Sequence, residues 1–170
     1  MLITKLFCRS PEENIKYCKA ESCLINVVSD LTRVKTLIPD GVTPGKILFV
    51  SGTTHSTCQR FTVNLVRSSE AGDDIALHFD VRVRISGEIH RIIRNSQVHG
   101  HWGVEEYNIP YFPFQPNSNF EIMILAEEDK FKIAVNNNHF TEFRHRVRPL
   151  NEIDSFVIFG DVSVSQMRVQ

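Results

Sequence analysis

The sequence predicts an all-β sandwich, and three observations carry that expectation. From about Lys46 onward, short runs rich in Val, Ile and Phe alternate apolar and polar residues, the spacing that sends successive strand side chains to opposite faces. Clusters of Gly, Asn, Asp and Pro divide these runs at the intervals usual for packed sheets. No long stripe of helical period competes with them. The 170 residues fit one domain, large enough to bury a core without a disulfide or a metal as a staple.

Taken in order, the expected strands cover residues 47–53, 60–66, 75–84, 91–97, 103–107, 120–126, 131–136, 139–145 and 155–168. Their ends are set by turn chemistry. Gly72-Asp73-Asp74 precedes the third, Ser86-Gly87 separates the third from the fourth, and the Pro-rich stretch 110–116 follows the fifth. Asn136-Asn137-Asn138 marks a tight turn and Pro149 precedes the last strand, each residue type suiting a bend for its own conformational reason. Residues 1–35 show no sustained alternation and are expected to be an N-terminal extension of unknown order, leaving 36–170 as the domain.

Composition narrows the partners. With 19 basic against 20 acidic residues, the overall field gives no reason to expect nucleic acid or insertion into a membrane. Residues 1–9 hold too short an apolar run between Lys5 and Arg9 to serve as a signal peptide, and no run reaches transmembrane length. Cys8, Cys18, Cys23 and Cys58 lack the even spacing of a disulfide scaffold, and no Asn-x-Ser/Thr acceptor occurs. Free thiols and synthesis in the cytoplasm are the expectation.

The strand expected at 75–84 carries the chemistry. Alternation sends Ile75, Leu77, Phe79, Val81 and Val83 to one face and Ala76, His78, Asp80, Arg82 and Arg84 to the other. A polar strand face taken alone is most often a solvated surface. Here it is followed by Arg94-Asn95 and by His99-Gly100-His101-Trp102-Gly103-Val104-Glu105-Glu106-Tyr107, which holds the only tryptophan of the chain in a loop-like setting. An exposed indole among His, Arg, Asn and Glu suits a pyranose, whose C–H patch stacks on a ring while its hydroxyls bond to polar groups.

Residues 78–107 and the stretch Ile109-Pro110-Tyr111-Phe112-Pro113-Phe114-Gln115-Pro116 resemble the carbohydrate-recognition domain of the galectins. Similar runs occur at Pro44-Gly45-Lys46, residues 61–65, Glu127-Glu128-Asp129-Lys130-Phe131 and His145-Arg146-Val147. The resemblance implies a jelly-roll sandwich of two antiparallel sheets and a non-enzymatic lectin that holds a β-galactoside on one sheet, with no cofactor or metal. It assigns His78, Asp80 and Arg82 to the axial 4-hydroxyl, Asn95 to the 6-hydroxyl, Trp102 to stacking, and Glu105 to hydroxyls and to Arg82. Two positions depart from the family: Asp80 stands where it has Asn, and Tyr107 where it has Arg. Asp80 loses an amide donor and brings a charge to be desolvated, and Tyr107 replaces a planar cation by a hydroxyl and a ring. Ser86 also replaces a family His, with Glu88 left as an acidic partner for Arg82. The expected consequence is weakened or altered galactoside selectivity. The family further implies glycans on glycoproteins or glycolipids as partners, a homodimer or tandem domain, and secretion without a signal peptide.

One rival is a galectin-type fold that has lost sugar binding and serves as a protein-interaction module. An enzyme is not expected, because the seven histidines form no ligand-spaced cluster and Glu105-Glu106 point to opposite faces of a strand. Cys58 is expected as an inert exposed thiol in a turn. Tyr111, Phe112 and Phe114 are expected to pack the sandwich edge, and Arg144, Arg146 and Arg148 to form a solvated basic stripe.

Overall fold

The computed structural model describes residues 15–18, 23–24, 32–70, 72–85 and 88–170. The strands are β1 (Ile15–Cys18), β2 (Cys23–Leu24), β3 (Thr32–Leu37), β4 (Ile47–Thr54), β5 (Arg60–Arg67), β6 (Asp74–Ile85) and β7 (Glu88–Val98). They continue as β8 (His101–Trp102), β9 (Asn119–Ala126), β10 (Lys130–Val135), β11 (Asn138–Arg144), β12 (Ser155–Gly160) and β13 (Val162–Val169), with a short 3-10 turn at Leu150–Glu152. One sheet runs β1-β3-β12-β5-β6-β7-β8 and the other β11-β10-β9-β4-β13-β2. Pairing is antiparallel except between β1 and β3 at one edge.

The period-two pattern explains why these sheets stack. Val63, Leu65, Leu77, Phe79, Val81 and Ile92 of one sheet, and Leu48, Val50, Ile122, Ile124, Phe131 and Ile133 of the other, are all fully buried. Together with Phe156 and Phe143 they form one contiguous core. Phe61 anchors its aromatic part, with Phe114 edge-on at 5.1 Å and Phe120 stacked at 5.2 Å. Phe112 stacks on His90 at 4.7 Å and Tyr111 meets Phe140 at 5.5 Å. The 110–116 stretch thus seals the sandwich edge with aromatic rings, as its composition leads one to expect.

Two segments differ from the sequence expectation, and a third, whose order the sequence left open, contains a strand. The stretch 155–168 is two strands rather than one, because the chain changes sheets at Gly160-Asp161. Gly160 adopts φ +115°, and a Cβ there would lie 2.5 Å from the Arg60 carbonyl oxygen, so only glycine makes the crossing. The Asp161 carboxylate secures it by accepting from the Gln59 and Arg60 N–H groups at 2.8 and 3.0 Å. The expected strand at 103–107 is a two-residue pairing at His101–Trp102 followed by a bulged segment that rejoins β7 where Arg94 bridges Glu106. Within the stretch expected as an extension, β3 pairs with both β1 and β12. Its alternation, Val34 and Thr36 inward and Arg33 and Leu37 outward, is too short to stand out beside uninformative neighbours.

Cys58 is fully buried rather than exposed. Burial, with the nearby Asp161 carboxylate, pushes its thiol up to about 11, so it stays protonated and unreactive at neutral pH. Cys8 lies outside the described residues.

Candidate functional site

The outer face of the seven-stranded sheet carries a cleft of about 320 Å³ lined by Arg60, His78, Arg82, Ile93, Asn95, Trp102, Gly103 and Glu105. Register brings these groups together. On β6, His78 lies between Asn64 of β5 and Asn95 of β7, Asp80 between Thr62 and Ile93, and Arg82 between Arg60 and Arg91. Directly opposed residues share a face, so the alternation that buries Leu77, Phe79 and Val81 also builds this polar floor.

His78 is fixed as a neutral ring. Its Nδ1 lies 2.8 Å from the Asn64 amide oxygen; that oxygen only accepts, so Nδ1 carries the proton and Nε2 keeps a lone pair for a hydroxyl. Burial holds its pKa below the usual histidine value, with the Asp80 carboxylate acting against the shift. The indole of Trp102 leans against it, ring centroids 4.7 Å apart and planes at 57°, and Trp102 itself is 49% exposed at the rim.

Asp80 lies behind the cleft and has no exposed surface. Its Oδ1 accepts from Arg60 Nε at 2.6 Å and Thr62 Oγ1 at 3.1 Å, and its Oδ2 from Arg82 Nε at 2.9 Å. The carboxylate therefore acts as a buried anchor that holds two guanidinium groups at the cleft by their Nε sides. Its charge is desolvated and paired in the folded chain, so the entry of a ligand has no further desolvation of that group to drive.

Asn95 and Glu105 are placed by the bulge. The Trp102–Gln97 pair and the Gly103 N–H to Ser96 carbonyl bond of 2.9 Å hold one end. Reciprocal bonds of 2.8 Å between Arg94 and Glu106 hold the other. Val104 and Glu105 are left between the two ends, against Asn95, and Glu105 reaches the cleft. Gly103 passes so close to Asn95 that a Cβ would lie 3.2 Å from its Oδ1. Tyr107 does not line the cleft; it is 58% exposed, with the Arg91 guanidinium 5.7 Å from its ring centre. Ser86 and the Glu88 side chain lie outside the described residues.

The turn that presents Trp102 is tied down by Asp74. That carboxylate accepts from the His99 N–H at 2.7 Å and is ion-paired with Arg67. Burial alone would raise its pKa, but the His99 and Arg67 bonds outweigh burial and hold it below its ordinary 3.8. A lowered carboxyl contributes stability that is fully present above the unfolded value and is lost as pH falls through the folded one. Accordingly, Asp74→Asn should be less stable than the parent in urea at pH 7, and the gap should close as the pH falls from 4 toward 2. A gap that stays constant over that range would refute the assignment.

Sequence reasoning passed over Arg60, Asn64 and Arg146. The alternation test applied to 75–84 exposes the first two when applied to 60–66, since Arg60, Thr62 and Asn64 share a face. Alternation gives no such signal for Arg146, although the run His145-Arg146-Val147 resembles one in the galectins. Arg146 belongs to the row expected to be solvated, and all three arginines are exposed; Arg144 pairs with Asp129 at 2.7 Å and Arg148 donates to the Glu128 carbonyl at 2.7 Å, whereas Arg146 pairs with Glu106 of the cleft's bulge at 2.6 Å.

Fold and cleft together define a class: a two-sheet β-sandwich with a shallow polar groove edged by an open indole, suited to a carbohydrate. Comparison with known proteins agrees. The family described as galactoside-binding lectin matches residues 33–169. Human galectin-7 is 37% identical over 135 residues, which cover 79% of this chain and 95% of that protein. Rat galectin-8 is 35% identical over 125 residues, 74% of this chain and 38% of that longer protein. Among solved structures, galectin LEC-6 of Caenorhabditis elegans superimposes with a TM-score of 0.69 at 25% identity, covering 88% of this chain and 96% of that one. CG-16, a homodimeric agglutinin from chicken liver, gives 0.67 at 27% identity, covering 83% and 100%. The chain belongs to the galectin family of galactoside-binding lectins.

Proposed function

We propose that the cleft binds β-galactosides with a selectivity shifted from the ordinary family pattern, and that it binds without catalysing a reaction. The observation that carries this is the meeting of His78, Arg82, Asn95, Trp102 and Glu105 on one cleft from separate strands and a bulge. Lone pairs on His78 and Glu105, N–H donors on Arg82 and Asn95, and a half-exposed indole supply both the hydrogen-bond pattern and the apolar platform that a pyranose needs.

The shift in selectivity rests on three features. Asp80 is withdrawn from the cleft by its arginine pairs, and Tyr107 stands outside it. Arg60, with a 47% exposed side chain, adds a second guanidinium at the rim. The rival, a protein-interaction module, draws on the exposure of Val104 and Tyr107 beside the cleft.

Isothermal titration with lactose, N-acetyllactosamine and cellobiose separates these readings. Lactose and cellobiose differ in the configuration of one hydroxyl at the terminal sugar, so a site built around an axial hydroxyl leaves buried polar groups unpaired with cellobiose. That should weaken cellobiose by about tenfold or more. Equal binding of the two disaccharides would sink the galactoside reading. Silence with all three, together with a silent glycan array and a captured protein partner, would favour the interaction module.

Synthesis in the cytoplasm and release without a signal peptide belong to the same proposal. So does presentation of more than one site through a dimer or tandem arrangement, which multiplies avidity without any new contact. No described helix is long and apolar enough to cross a membrane.

A further inference from the structure

Arg146 follows β11, the edge strand of the six-stranded sheet, while the cleft's bulge follows β8, the edge strand of the other. Its side chain crosses between these edges. The guanidinium packs over the Phe143 ring at 4.6 Å. Its Nη1 donates to Asn95 Oδ1 at 3.2 Å and to the Val104 carbonyl at 2.7 Å, and its Nη2 donates to Glu106 Oε1 at 2.6 Å.

The consequence falls on Asn95. Its Oδ1 already accepts from the Ser96 N–H at 2.8 Å, and its Nδ2 donates to the Gly103 carbonyl at 3.0 Å. With Arg146 added, both lone pairs of Oδ1 are occupied, so a flipped amide would set its NH₂ against a guanidinium and a backbone N–H. One Nδ2 hydrogen is left for the cleft, which makes Asn95 a donor there and nothing else. Gly103 completes the arrangement, since a Cβ there would lie 3.0 Å from Arg146 Nη1.

We propose that Arg146 is a positioning residue of the cleft: it fixes Asn95 as a hydrogen-bond donor and sets the path of residues 103–106, and so the place of Glu105. Its effect on sugar binding rests on the galactoside reading above. A lysine keeps the charge but offers its donors from a single point, and cannot span Asn95, Val104 and Glu106 together.

The test uses the full chain with Arg146→Lys, read first by ¹H–¹⁵N spectra without sugar. The Asn95 side-chain amide and the backbone amides of residues 103–106 should shift, while those of β12 and β13, four strands away in each sheet, stay in place. Glu106→Gln, which loosens only the Nη2 end, should move the same signals less. In lactose titrations Arg146→Lys should weaken binding about tenfold, and on an Asn95→Ala background the same change should weaken it by about threefold or less, the part that acts through Glu105.

An unmoved Asn95 amide overturns the assignment whatever the titrations give. Fully additive losses overturn it too, because they mean that Arg146 does not act through Asn95. Shifted signals in a parent that takes up no galactoside leave the positioning role standing and remove the galactoside reading instead.

Discussion

Trp102→Ala should reduce lactose affinity about 50-fold while leaving the melting temperature nearly unchanged. The indole is 49% exposed, and the sheet core lies on the other face of β6 and β7, so little folding energy rests on it. A pyranose laid on one face of the ring covers roughly 100 Å² of apolar surface, worth about 2.5 kcal/mol at about 25 cal/mol/Å². That corresponds to roughly a 50-fold change in the dissociation constant. Trp102→Phe keeps part of the platform and should fall between. Loss of His78's ring neighbour adds a smaller effect, because the imidazole is still fixed by Asn64. The check is calorimetric titration beside thermal unfolding of the same samples. A change in affinity below about threefold would mean that the indole is not the platform.

How far the sequence makes this site legible depends on the range of the interaction that places each residue. His78, Asp80 and Arg82 are readable as a row because alternation along a single strand puts them on one face. Alternation does not show depth: Asp80 belongs to the polar row and yet is fully buried, because Arg60 and Thr62 come from a neighbouring strand to meet it. Trp102 is readable from its glycine and histidine neighbours, which spoil regular pairing. Glu105 is readable as a residue type but its placement is not, since it follows from a bulge closed by the Arg94–Glu106 bridge. Arg146 is illegible for the same reason carried further. Its hydrogen-bond partners lie 40 to 51 residues away, across the edges of two sheets, and alternation alone does not distinguish it from Arg144 and Arg148. The fold as a whole is easier to read because strand alternation is repeated many times, whereas the crossing at Gly160 is a single event hidden inside an apparently continuous run.

Asp80→Ala should cost about 3 kcal/mol of stability, near the lower end of what is lost when one partner of a buried ion pair is removed. The carboxylate has no exposed surface, whereas its partners Arg60 and Arg82 keep 47% and 22% of their side chains in water; solvent therefore takes back part of the loss, which is why the lower end applies. Asp80→Asn should cost less, because one amide oxygen still accepts from either arginine. It cannot accept from both, and its NH₂ would then face a guanidinium. The comparison also separates two roles for this position. If Asp80 bonded sugar directly, Asp80→Asn would change lactose affinity with little effect on folding. As an anchor beneath the cleft it should do the reverse, lowering the urea midpoint at unchanged slope and altering affinity only as far as Arg60 and Arg82 drift once released. Urea unfolding and lactose titration of the same two variants measure both quantities, and a stable Asp80→Asn protein with sharply altered affinity would return the residue to the sugar.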